Sequence, residues 1–121
     1  FRATEWANMQ RLLKATMRYR PDRIIVGEVR GGEALTLLKS WNTGHPGGIA
    51  TVHANGAYAA LTRIEQLVAE ATNANSKIVI AEAINIVVFI EKTTKGRKVK
   101  EVIGVDGYDF DLNRYKTRNL I

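Results

Sequence analysis

The sequence predicts an α/β domain in which helices flank a mainly parallel sheet, with a β-hairpin towards the C-terminus. Residues 23–27 and 49–52 are short, continuously apolar segments, which is typical of strands buried on both faces of a parallel sheet. Residues 33–41, which lie between them, have helical spacing of their apolar side chains. Two strands joined through a helix run parallel, with a right-handed crossover. Since no repeat or linker interrupts the 121 residues, we expect one domain over 1–121.

Local patterns predict the other elements. Thr4 is the expected cap of a first helix, Asn55 of the helix that follows the second strand, and Gly107 the start of a late turn. Asp109 and Asp111 alternate with apolar residues, which favours an exposed strand face over a metal site. The predicted segments are helices over 4–19, from 55 to about 68 and over 76–83, and strands over 86–90, 98–105 and 108–112.

The composition excludes several kinds of site. The chain contains no cysteine, which excludes disulfides, thiolate zinc sites and cysteine nucleophiles, and agrees with a reducing cytoplasm. The longest uncharged apolar stretch, residues 83–90, is too short to cross a bilayer. The net charge of +6 is compatible with a nucleic-acid partner, but the Lys and Arg residues are scattered and no aromatics are interleaved with them. Direct DNA binding therefore stays open.

Two chemically capable side chains follow the predicted parallel strands. Glu28 comes directly after the first strand and His53 directly after the second. Ligands bind in open α/β sheets at the carboxyl ends of the strands, so both residues are candidates for a site. A carboxylate there can polarise a water or order Mg²⁺ beside bound phosphates, and a histidine can donate to a phosphate. Taken alone, the pattern favours a solvated carboxylate at a strand end for Glu28 and a packed turn histidine for His53.

Other polar residues near these strand ends give weaker signals. Arg30 is suited to neutralising phosphate charge or to pairing with Glu28 or Glu33. His45 and His53 lie eight residues apart, a spacing that does not fit a metal site, and we expect no bound metal on protein ligands. A phosphate loop of the form GxxxxGK[ST] is absent from the sequence, although it contains two Gly-Gly pairs.

Two longer motifs resemble those of a known family. Residues 20–34 read RPDRIIVGEVRGGEA and resemble the Walker B segment of secretion traffic ATPases. Residues 42–55 read NTGHPGGIATVHAN and resemble the His box that follows it in that family. The form of this His box is similar to the type IV secretion and Tad-pilus branches. Lys39 to Asn42 and the basic segment 91–99 are most similar to the TrbB-like conjugal-transfer branch.

The resemblance implies a partial RecA-like P-loop NTPase core that uses ATP and Mg²⁺. By position, Glu28 corresponds to the catalytic Walker B glutamate and His53 to the catalytic His-box residue near the γ-phosphate. Four further residues of the motifs would support nucleotide binding, namely Arg30, Glu33, His45 and Thr51. The family's N-terminal domain, Walker A loop and Asp box have no counterpart here. We therefore expect residues 1–121 to be the C-terminal portion of the ATPase domain, inactive in isolation.

The resemblance also implies an assembly and a place in the cell. It implies a homo-hexameric ring at the cytoplasmic face of the inner membrane, which contacts that membrane peripherally and works with other type IV secretion components. ATP hydrolysis there powers conjugative pilus assembly or DNA transfer. Two alternatives stay open: a Tad-type pilus ATPase, and a non-catalytic basic module that docks secretion components or DNA.

Overall fold

The computed structural model describes residues 25–43 and 47–121. The predicted helix over 4–19, the start of the first strand and His45 lie outside these residues. Three helices and five strands follow one another in the described part of the chain, and none of these helices is long and apolar enough to cross a membrane. In chain order they are β1 (Ile25–Val26), α1 (Glu33–Asn42), β2 (Ile49–Ala50), α2 (Ala57–Ala69), α3 (Lys77–Ala83), β3 (Ile86–Thr93), β4 (Gly96–Asp109) and β5 (Arg114–Asn119).

The predicted strand–helix–strand unit is present. β1 and β2 pair in parallel, with Ile25 opposite Ile49 and Val26 opposite Ala50. α1 connects them and buries Ala34, Leu37 and Leu38, which recur at helical spacing, while Lys39 faces solvent. The parallel arrangement brings the carboxyl ends of both strands to the same edge, as the sequence predicted.

The helices and the second sheet share one apolar core. α2 contributes most to it, because Leu61, Leu67 and Val68 are fully buried on its inner face. Gly32, just before α1, packs against the end of α2, where a Cβ would lie 3.2 Å from the Ala71 Cβ. From β5, the buried Tyr115 hydroxyl bonds to the Glu65 carboxylate on α2, and burial raises the pKa of this tyrosine. The core thus ties the second sheet to the α/β unit.

The larger sheet is antiparallel, so the expected mainly parallel sheet is not found in the described residues. β3, β4 and β5 form a three-stranded meander, whereas the parallel pairing covers only two residues in each strand. The predicted hairpin is confirmed, and Gly96 makes its turn with a φ of 113°. Because the turn between β3 and β4 is so short, these strands can pair only in an antiparallel manner.

Three local predictions near the C-terminus and at α2 were wrong. Gly107 does not begin a turn but lies beside a register shift within β4, which runs on to Asp109. Asp109 is the last residue of β4 and Asp111 lies in the turn that follows, so the two do not alternate along one strand. The Asp109 Oδ1 accepts hydrogen bonds from the N–H groups of Asp111 and Leu112, which closes the turn into β5. Asn55 does not cap α2, whose N-cap is Gly56.

An apolar groove of about 1060 Å³ separates β2 from β3. In the described residues, β2 pairs only with β1 and β3 only with β4, so the strand edges that face the groove are open. Ile49, Ile86, Val88 and Ile90 line it, and each is about half exposed or more. Open, apolar strand edges of this kind are templates for another strand.

Candidate active site

The loops that follow β1 and β2 are joined beyond the ends of the strands. The hydroxyl of Thr51 donates a hydrogen bond to the carbonyl oxygen of Gly27. The N–H of Val29 in turn donates to the carbonyl oxygen of Thr51 at 2.8 Å. These two bonds continue the parallel pairing past β1 and β2 and fix the residues that flank Glu28. Thr51 therefore supports the site by holding the backbone on both sides of Glu28.

Glu28 lies between a histidine and an arginine. His53 Nε2 lies 3.2 Å from Glu28 Oε1, and the Arg30 Nε donates to Glu28 Oε2. Only 26% of the Glu28 side chain is exposed, against 78% for Arg30 and 90% for His53. The geometry thus gathers the two predicted catalytic residues and one predicted binding residue into a single cluster at the carboxyl edge.

The electrostatics of this cluster favour an ionised Glu28. The hydrogen bond from Arg30 is the largest cause and holds the pKa of Glu28 below its usual value, against a smaller opposing effect of desolvation. The charges of Arg30 and His53 lower the pKa further. Glu28 is therefore a carboxylate at neutral pH, able to accept hydrogen bonds from water but weakened as a proton acceptor while Arg30 stays paired with it.

Glu33 lies beneath the loop that follows β1 and not on the surface, where a side chain could contact a ligand directly. It is buried, with 2% of its surface exposed, and its Oε1 accepts hydrogen bonds from the backbone N–H groups of Arg30 at 2.9 Å and Gly31 at 3.2 Å. Its Oε2 has no hydrogen-bond partner within the described ranges. Glu33 shapes the loop that carries Arg30, and a role in nucleotide binding stays a prediction.

Within residues 25–43 and 47–121, the carboxyl edge contains no preformed metal site. In the part of the chain that the structure describes, no three His, Cys, Asp or Glu residues lie together as metal ligands do. Glu28 is the acidic side chain at this edge that reaches solvent, and a single carboxylate suits Mg²⁺ that keeps most of its waters and binds phosphate oxygens. The residues present therefore fit Mg²⁺ brought in with a nucleotide.

A comparison with known protein families shows which family this chain belongs to. Residues 3–108 match the family described as "Type II/IV secretion system protein". The chain belongs to this family. Its curated relatives include the conjugal transfer protein TrbB of Rhizobium radiobacter, which is 57% identical over 96% of the chain. The type IV secretion system protein VirB11 of Bartonella quintana is 48% identical over 49% of the chain. Membership of the type IV secretion and conjugal-transfer branch, predicted from the form of the His box, from Lys39 to Asn42 and from the basic segment 91–99, is confirmed.

A solved structure supports the same relationship. The VirB11 ATPase from the Brucella suis type IV secretion system, crystallised in complex with sulphate, superposes with a TM-score of 0.69 and 26% sequence identity. The match covers 77% of this chain but 32% of that one. Likewise, the chain spans 35% of TrbB from Rhizobium radiobacter and 17% of VirB11 from Bartonella quintana. The chain therefore matches about a third or less of the length of each of these relatives.

Most residues of this cluster were predicted from the sequence, and one residue that supports it was not. Glu28, Arg30, His53 and Thr51 lie together, Glu33 lies beneath the loop, and His45 falls outside the described residues. The missed residue is Glu101, whose carboxylate reaches the first residue of α2. No local signal identifies it, because the two partners are 44 residues apart.

Proposed function

We propose that the full-length protein is an ATPase with a RecA-like motor domain that powers a type IV secretion machine of the conjugal-transfer branch. The observation that carries this proposal is the contact between Glu28 and His53 at the carboxyl edge of two parallel strands. Family membership supports it, as does the similarity to a protein named as an ATPase. The proposal extends to a homo-hexameric ring, located in the cytoplasm and held peripherally at the inner membrane, that drives pilus assembly or DNA transfer.

Glu28 has the properties that water activation requires. It is ionised, fixed by its backbone neighbours and partly desolvated, so it can orient a water for in-line attack on the γ-phosphate of ATP. Mg²⁺ bound with ATP would supply charge neutralisation on the phosphates. Arg30 is exposed and paired with Glu28, and in this proposal it turns towards the phosphates when ATP binds. Losing that hydrogen bond raises the pKa of Glu28 and makes it a better proton acceptor.

The groove between β2 and β3 also fits this proposal. It is mostly apolar, and among the described residues the two strand edges that bound it are unpaired, so one additional strand would join the two sheets. Since TrbB of Rhizobium radiobacter is about three times as long as the segment it shares with this chain, a full-length protein of that size has ample chain to supply the strand. In a RecA-like fold it is the strand that leads into the phosphate loop.

The test of the proposed function is phosphate release by the purified full-length protein. We expect ATP-dependent phosphate release that requires Mg²⁺ and is suppressed by a chelator. In a donor strain that lacks the gene, the full-length gene should restore conjugal transfer. A well-folded full-length protein that neither binds nor hydrolyses ATP would contradict the proposal. Restoration of pilus assembly without DNA transfer would assign the protein to a pilus machine of the Tad type.

A second prediction concerns the isolated chain. Residues 1–121 contain no GxxxxGK[ST] loop, and most of the affinity for phosphates in such sites comes from that loop's N–H groups and lysine. We therefore expect no ATP hydrolysis and no measurable ATP affinity for this segment alone. Isothermal titration calorimetry is the measurement, with the full-length protein as the positive control. Micromolar binding to the segment would show that residues 1–121 hold the nucleotide by themselves.

A third prediction concerns His53 in the full-length protein. Its side chain is 90% exposed and lies 3.2 Å from Glu28, so in this proposal it exchanges that contact for a hydrogen bond to the γ-phosphate when ATP binds. We expect His53→Ala to lower kcat by about 10-fold and weaken a non-hydrolysable ATP analogue, with ADP affinity unchanged, because ADP lacks that phosphate. Equal losses for ADP and the analogue would make His53 a structural residue.

A further inference from the structure

The helix that follows His53 begins without a local cap. α2 starts at Ala57, and its N-cap residue Gly56 has no side chain to accept the free N–H groups of the first turn. The N–H of Ala57 instead donates to Oε1 of Glu101 on β4, at 3.1 Å. A carboxylate at a helix N-terminus is favourable both as a hydrogen-bond acceptor and as a charge beside the positive end of the helix dipole.

The backbone around this contact leaves room for the carboxylate. A Cβ on Gly56 would lie 3.3 Å from the Glu101 Oε1, a tight approach. Gly56 has an extended φ of 177°, which any residue can adopt, so space rather than backbone conformation favours glycine here. Glu101 itself is held within the sheet, where it lies opposite Phe89 of β3. The cap is thus a contact between two ordered elements.

The position of His53 depends on the two ends of its loop. At one end, Thr51 is fixed to Gly27 and Val29 by two hydrogen bonds. At the other end, Glu101 fixes Ala57. His53 lies between these anchors with 90% of its side chain exposed, so side-chain packing contributes little to holding it 3.2 Å from Glu28.

We propose that Glu101 is a positioning residue, which fixes the start of α2 and thereby holds His53 against Glu28. This inference rests on the proposed ATPase function, and it gives the antiparallel sheet a direct link to the catalytic edge. Glu101 does not touch the reacting groups. Its effect is to keep the loop from shifting, because a displacement of about 1 Å is enough to slow catalysis severely.

The first test is the kinetics of the full-length protein. Glu101→Ala should lower kcat about 10-fold with KM for ATP nearly unchanged. Glu101→Gln keeps a carbonyl oxygen that can accept the Ala57 N–H, so it should stay within about 3-fold of wild type. Glu91→Ala is the matched control, an exposed glutamate of the same hairpin paired with Lys100 at 3.3 Å, and it should leave kcat unchanged. A Gln variant as slow as the Ala variant would overturn the proposal.

A double variant tests whether the effect passes through His53. Once His53→Ala has removed the side chain, its position no longer matters, so adding Glu101→Ala should lower kcat by less than about 2-fold. If the second change still costs about 10-fold, Glu101 acts by another route and the proposal is wrong.

Hydrogen exchange tests the cap itself, independently of ATP hydrolysis. In the full-length protein, Glu101→Ala should speed exchange of the Ala57 amide by about 10-fold or more, whereas His53→Ala should not. This measurement stays informative if the protein proves not to hydrolyse ATP. Unchanged exchange at Ala57 would overturn the cap, while faster exchange without ATPase activity would contradict the proposed function alone.

Discussion

Glu28→Gln in the full-length protein is expected to slow ATP hydrolysis by about 10²-fold or more while ATP binding stays close to that of wild type. The substitution keeps the size of the side chain and one oxygen that can accept from Arg30 Nε, so the loop after β1 should keep its shape. It removes the negative charge that, in the proposed mechanism, orients and deprotonates the attacking water. Single-turnover hydrolysis and equilibrium binding of labelled ATP, measured on the same preparation, separate the two effects.

The control for Glu28→Gln is the same substitution at a glutamate away from the site. Glu70 is exposed at the end of α2 and Glu70→Gln should hydrolyse ATP at the wild-type rate. Turnover near the wild-type rate in Glu28→Gln would remove Glu28 from the mechanism. A parallel loss of ATP binding would mean that Glu28 holds the nucleotide.

The parts of the site that the sequence predicted correctly follow from local pattern and one topological rule. Apolar runs identified β1 and β2, and helical spacing identified α1. Two neighbouring strands joined through a helix run parallel, with a right-handed crossover. Once they are parallel, the residues after each strand must share an edge. That reasoning placed Glu28 and His53 together, and the structure confirms it with a distance of 3.2 Å.

The parts that the sequence did not predict depend on contacts between distant segments. Asn55 is a good N-cap residue by type, yet α2 begins at Ala57 and its N–H goes to Glu101 because β4 passes beside it. Propensity describes what a residue prefers in isolation, and a tertiary contact of this kind overrides it. The same holds for Gly107, whose freedom of φ serves a register shift within β4 rather than a turn.

The expected mainly parallel sheet was not found among the described residues, which shows a second limit of prediction from the sequence. The expectation rested on two apolar runs joined through a helix, whereas the described residues supply two short parallel strands and three longer antiparallel ones. Between the two sheets lies the apolar groove, bounded by Ile49 on β2 and by Ile86, Val88 and Ile90 on β3. A single inserted strand would merge the two sheets.

The last prediction tests whether the full-length protein fills this groove. Ile86 lines it and is 58% exposed here, whereas Ile78 on α3 lies outside it and is 53% exposed. If a further strand occupies the groove, Ile86→Asp places an unpaired charge in a closed apolar layer. This should destabilise the full-length protein by about 3 kcal/mol or more and lower its unfolding midpoint by roughly 5 °C or more.

The matched variant Ile78→Asp makes the same chemical change on a surface of similar exposure. Because Ile78 does not line the groove, the effect of this change should stay within about 0.5 kcal/mol. Thermal unfolding and limited proteolysis of both full-length variants provide the comparison. Equal, small effects would mean that Ile86 faces water in the full-length protein as it does here. The two sheets would then remain separate, and the strand that a RecA-like core needs beside β2 would have to lie elsewhere.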